Sequence, residues 1–171
     1  MTASTLYSSS VPVFLRYLRQ LEHLLTLAEQ HAVRTSMSED ALLASALAPD
    51  MYPFASQVEI AINFTLRATF PLAGLPIPPY GEFERSLQGL GQRLSRARGL
   101  LTELDPALFA SNTPLMIQAE AGQATHAMAP SEYLLHYALP NFFFHMAMAY
   151  AVLRHIGVPV GKADFDGYHA Y

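Results

Sequence analysis

Seven apolar side chains, Phe83, Leu87, Leu90, Leu94, Ala97, Leu101 and Leu104, recur along one segment at steps that alternate four and three. Such a repeat lines them up on one stripe of an α-helix, and a stripe of that length has to be hidden against other helices. Three further segments supply partners. Val11, Phe14, Leu18, Leu21 and Leu25 follow serines at positions 8, 9 and 10 and a first-turn Pro12, which predicts a helix to about residue 31. Phe54, Ile60, Ala61, Phe64 and Ala68 form a second stripe that stops near Pro71 and Gly74, with Asp50 placed to cap it. Pro130 and Ser131 open the last helix, which runs to Ile156, is kinked by Pro140 and ends at Gly157. The expectation is an all-α, up-and-down four-helix bundle forming a single domain over residues 1–171.

The connections read differently. Ser38 is placed to cap a short helix that reaches residue 47, before Pro49. Pro76, Pro78 and Pro79 allow neither helix interior nor central strand, so residues 75–81 form a crossover loop that connects and does not catalyse. The helical period is lost between Pro114 and Met128, where two short apolar runs flank Gly122, predicting a small β-hairpin between the third and fourth long helices. Arg85, Arg93, Arg96 and Arg98 fall on the outer face of the third helix as solvated charge. After Gly157 the tail reads as an aromatic loop that packs back on the helices.

Charge narrows the function classes. Only 14% of the residues are charged and 51% are hydrophobic, so apolar surface must be hidden in a core or against a partner, and a homodimer is expected. A net charge of −4 with no basic run argues against nucleic acid. The absence of cysteine removes disulfides, thiolate metal sites and a cysteine nucleophile. Arg16, Arg19 and Glu22 interrupt the first thirty residues, which therefore do not read as a signal peptide, and a cytoplasmic location is expected. Residues 134–153 carry no charge and match a membrane span in length, but His136, Pro140, Asn141 and His145 suit a bundle helix better. No membrane association is expected.

Polar residues that break an apolar stripe are the candidates for a site. At 100° per residue, the His145 face of the last helix also holds Leu134, Ala138, Asn141, Phe142, Met148, Ala149, Val152 and Ile156. On the second long helix Gln57 stands alone among Phe54, Ile60, Ala61 and Phe64. Buried polar groups need partners, so Gln57, Asn141 and His145 should meet one another, a water or a small-molecule ligand. The three then either form a hydrogen-bond cluster that sets helix register or line a ligand or metal pocket. A metal wants three strong donors, of which only His145 is one. His136 lies on the opposite face with Phe143 and Tyr150, a dimer contact or the bed for the tail, and His155 sits where a cation suits the helix end.

The strings PNFFFH at 140–145 and LRHIGVPVGKADF at 153–165, with APDMYPFASQV at 48–58, resemble an uncharacterised bacterial branch of the DinB/YfiT-like metalloenzyme superfamily. The resemblance runs over most of the chain. It implies a DinB-like bundle, usually dimeric, in which a divalent metal is held by one histidine of the second long helix and a histidine pair four apart on the fourth. Some members are thiol-dependent transferases. His145 matches the second histidine of the pair, Asn141 takes the place of the first, and Gln57 replaces the helix-two histidine. Two of three ligand positions thus lack an imidazole. The reading that follows is a non-catalytic or weakly active protein with no cofactor or a weakly held divalent metal, zinc or nickel. The alternative is a metal-dependent transferase or hydrolase that uses His145 as ligand and Asp50 to complete the shell. A third reading is metal-free proton transfer at His145.

Overall fold

The computed structural model describes residues 3–170. The chain is mostly helical with one small sheet, and four long helices supply most of the core: α2 (Val11–Thr35), α4 (Phe54–Leu72), α5 (Leu87–Thr102) and α8 (Leu139–His155). They are joined by short helices, namely α1 (Ala3–Ser8), α3 (Glu39–Ala44), α6 (Leu108–Ser111), α7 (Pro130–Glu132) and α9 (Lys162–Asp166). Helix α4 packs on both α5 and α8, and α2 packs on α5. The buried side chains of all four form one cluster, in which Phe14 meets Phe142 edge to face at 5.0 Å and Leu18, Phe54, Leu94 and Leu101 are fully enclosed.

Two predicted caps do not form. Residues 3–8 are already helical, so Ser10 closes that first turn by donating its hydroxyl to Leu6 O at 2.6 Å and does not cap α2. Asp50 lies exposed in a turn, and α4 begins three residues after Met51 behind Pro53, which has no side chain to offer the first turn. Ser38 does cap α3, accepting from Ala41 N at 3.2 Å. The third long helix starts at Leu87 under Ser86, leaving Phe83 in the loop before it. Arg93 is not solvated charge: its side chain is 11% exposed and bonds Glu59 at 2.8 Å and Asn63 Oδ1 at 3.1 Å across the α4–α5 seam.

The hairpin pairs β1 (Ile117–Ala121) with β2 (Ala124–Met128) antiparallel, with Ala121 opposite Ala124 and Gly122 at positive φ in the turn. Before α8 the chain makes a π-helical turn over Tyr133–Ala138. Pro140 has no N–H for a regular i→i−4 bond, and a wider turn just ahead of it absorbs that gap. The tail folds as helix α9 and docks on α2. Phe165 packs against Tyr17 and Tyr150, Arg16 donates to the carbonyls of Asp166 and Gly167, and His23 meets Asp164 at 2.8 Å. Tyr150 and Tyr17 therefore serve as the tail's bed, Phe143 packs on Tyr17 beside them, and His136 is exposed. Among the described residues no helix is long and apolar enough to cross a membrane.

Gly74 ends α4 at a φ of +68°, and a β-carbon there would lie 2.2 Å from Asn112 O. Gly74→Ala should therefore cost at least about 2 kcal/mol in urea unfolding. Gly91, on α5, has open space around it. There the same change should stabilise by about 0.5–1 kcal/mol.

Candidate functional site

Gln57 sits one turn into α4 and His145 two turns into α8, on the helix pair that shares the largest interface. Their side chains are 2% and 9% exposed. His145 Nδ1 and Gln57 Oε1 are 2.8 Å apart, and Gln57 Nε2 donates to Tyr52 O at 3.2 Å in the turn leading to α4. This second bond settles the first. With the amide nitrogen of Gln57 turned to a carbonyl, its oxygen faces the ring and can only accept, so Nδ1 carries the proton.

Burial holds the imidazole below its ordinary value of 6.5, because desolvation disfavours the charged ring. The neutral ring with its proton on Nδ1 leaves a bare lone pair on Nε2. That nitrogen has no hydrogen-bond partner among the described residues. No buried side-chain nitrogen or oxygen among them is without one either, so Nε2 must reach solvent. Phe64 stacks on the ring at 6.1 Å and Phe144 meets it edge-on at 5.2 Å. Phe144 is 54% exposed, as is much of Tyr52, so the pair lies under an aromatic rim.

The other two candidates stand apart. Asn141 is half-buried and donates to Tyr137 O at 2.7 Å, on the π turn, so its amide serves its own helix. Asp50 is exposed in the turn before α4, two residues ahead of Tyr52, and has no hydrogen bond to His145 or Gln57. Among the described residues no group of three or more His, Asp or Glu stands where it could hold a metal ion. The donor set does not fit a divalent centre: Gln57 Oε1 is occupied by Nδ1–H, the Asn141 amide is bonded to its own helix, and one imidazole nitrogen remains.

Sequence periodicity missed a second polar group on the same interface. Arg67, on α4, bonds the hairpin and the hydroxyl of Tyr137, and Tyr133 reaches the backbone oxygen of Arg67 at 2.5 Å. Arginine and tyrosine on amphipathic helices read as rim residues, so only the contact with the hairpin could have marked them.

A family model described as "Domain of unknown function (DUF1993)" matches residues 6–166. A solved structure of a DinB family member protein from Shewanella denitrificans is 31% identical to this chain, covers 99% of it and 96% of its own length, and superposes with a TM-score of 0.87. No curated protein matches the chain.

The lowered pKa sets a direction for acid sensitivity. The unfolded chain takes a proton on His145 near pH 6.5, whereas the folded chain resists until lower pH. Stability from this residue is therefore complete above that value and is lost as pH falls through it. Urea unfolding at pH 7.5 and 5.5 should show a smaller drop for His145→Phe than for the parent. Gln57→Leu should cost about 1–3 kcal/mol, because Nδ1–H and Tyr52 O both lose their partner.

Proposed function

The chain belongs to the DUF1993 family, and on that premise we propose that it is a single-domain DinB-like four-helix bundle whose metal centre has given way to a hydrogen-bonded amide and imidazole. In this reading it is non-catalytic or weakly active towards metal-dependent chemistry, and the His145–Gln57 pair aligns α4 on α8 while offering one acceptor nitrogen to a small ligand. The observation that carries it is the commitment of Gln57 Oε1 to His145 Nδ1. A glutamine that accepts the ring proton cannot also face a metal held by that ring.

One feature favours metal-free proton transfer as a second reading. Nε2 has the lone pair and the solvent access that a general base requires, and burial keeps the ring in its neutral, accepting form. A homodimer is part of the proposal. The outer face of α8 and the π turn before it presents Leu135, Pro140 and Phe144, with no charged side chain between Glu132 and Arg154.

Protein purified without an affinity tag and dialysed against zinc or nickel should retain neither at stoichiometric level. Retention of one ion per chain would overturn the reading and restore a metal-dependent transferase or hydrolase with His145 as ligand. The double variant Gln57→His, Asn141→His should gain zinc binding by at least tenfold, since it rebuilds a pair four apart plus a third imidazole. Phe144→Glu should convert a dimer to a monomer by light scattering at micromolar concentration.

A further inference from the structure

Between α4 and the start of α5 lies a cavity of about 120 Å³, lined from α4 by Ala55 and Glu59, from the loop ahead of α5 by Phe83, Glu84 and Arg85, and from α5 by Arg93. One guanidinium ties the three elements together. Arg93 pairs with Glu59 at 2.8 Å and donates to Asn63 Oδ1 at 3.1 Å, both on α4, and its guanidinium carbon lies 5.2 Å from the centre of the Phe83 ring. The loop is held as firmly. Ser86 N donates to Glu84 O at 2.9 Å, Ser86 Oγ accepts from Gly89 N at 2.9 Å, and a β-carbon at Gly89 would lie 2.0 Å from Glu84 O. The walls therefore stand before any ligand arrives.

Hydrogen-bonding capacity is left over on two of its sides. Arg93 makes one contact through each terminal nitrogen, and its Nε–H has no partner among the described residues. No buried side-chain nitrogen or oxygen among them is without one, so Nε reaches open space, and for a side chain only 11% exposed that space is the cavity it lines. The Glu84 carboxylate and the Arg85 guanidinium have no partner among the described residues either. The lining thus sets two carboxylates and two guanidinium groups around one small space.

We propose that this cavity binds a small zwitterionic amino acid, its carboxylate accepting from Arg93 Nε–H and its ammonium donating to the Glu84 carboxylate. The mixed lining carries the choice of ligand. A simple anion would pair with the guanidinium groups but meet Glu59 and Glu84 as like charges, and a simple cation would meet Arg85 and Arg93 in the same way. A molecule with both charges satisfies each side when it lies one way round. Volume sets its bulk: the space of about four waters, at ~30 Å³ each, suits glycine or alanine and excludes a long side chain. Arg93 is already fixed by Glu59, Asn63 and the Phe83 face, so little side-chain freedom is left to lose on binding. The site uses none of the groups assigned to His145 and Gln57.

The test follows the Nε–Hε signal of Arg93 by nitrogen-15 NMR while glycine is added at constant ionic strength, with sodium acetate and methylammonium chloride as probes that carry one charge each. The expected result is a saturable shift in the millimolar range with glycine, and at least tenfold weaker response to either single-charge probe. Arg93→Gln would also break the bridge from α5 to α4, so the informative variants are Glu84→Gln and Arg85→Gln. Both side chains are exposed and unpartnered among the described residues, so the melting temperatures should match the parent. Glu84→Gln should weaken glycine about tenfold, and Arg85→Gln should weaken it less, since Arg93 keeps the carboxylate. His145→Phe should titrate like the parent, which separates this site from the reading above. A linear response to glycine up to tens of millimolar, acetate or methylammonium saturating at the same concentration as glycine, or parent-like titration of Glu84→Gln would overturn the proposal.

Discussion

Among the described residues, the contact between His145 and Gln57 is the directional side-chain bond that joins α4 to α8 itself, within an interface otherwise closed there by apolar packing. Hydrophobic burial along the two helices is tolerant of small shifts, because a leucine or alanine that slides by a fraction of a turn still meets apolar neighbours. A donor and acceptor 2.8 Å apart in a site 2% and 9% exposed are not tolerant. Sliding one helix would orphan Nδ1–H and the amide oxygen together, so the pair selects one register among many that burial alone would accept.

That register determines what can be built further along the same interface. With α8 held against α4, Tyr133 and Tyr137 on the π turn come level with Arg67, and the backbone of β1 comes within reach of the guanidinium. Phe64 joins the two polar groups, since its ring stacks on His145 and lies under Arg67. His145 and the Arg67 guanidinium therefore cannot be further apart than those two contacts laid end to end. Buried polar chemistry among the described residues runs along this seam, while the other long-helix seams are closed by apolar packing and by the Arg93–Glu59 and Arg98–Glu22 pairs.

What could be read from the residues divides by length scale. The long helices α2, α4, α5 and α8 carry enough apolar repeats that their period overrides local preference, and their faces fell where 100° per residue puts them, including the inward positions of Gln57 and His145. The short helices α1, α6 and α9 did not show, because a single turn cannot repay its own nucleation and forms only when packing holds it, as Tyr7 against Phe109 holds α1 to α6. Ser10 and Asp50 illustrate the same limit at helix ends. A capping residue type is informative only if its side chain is free and the helix starts where assumed: an unforeseen first helix takes the Ser10 hydroxyl although α2 still starts at Val11, and α4 starts behind Pro53, beyond the reach of an Asp50 cap. Asn141 shares the face of His145 by angle, yet its short amide bonds the carbonyl four residues back, an option a helical wheel does not display.

The position of Gln57 also bears on why a ligand set can erode without the fold collapsing. In a metal-binding histidine the nitrogen not on the metal usually donates to an oxygen that orients the ring. Here Gln57 supplies such an oxygen from the helix-two position itself, so a side chain standing where the resemblance places a ligand orients its neighbour instead. The exchange keeps every buried polar atom satisfied, as the described residues do throughout. An apolar replacement at position 57 would leave the imidazole without a partner, and a charged one would need a counter-ion that the surrounding phenylalanines cannot provide. An amide is among the few side chains that satisfy His145 and Tyr52 together, and the hydrogen-bond geometry follows from that requirement.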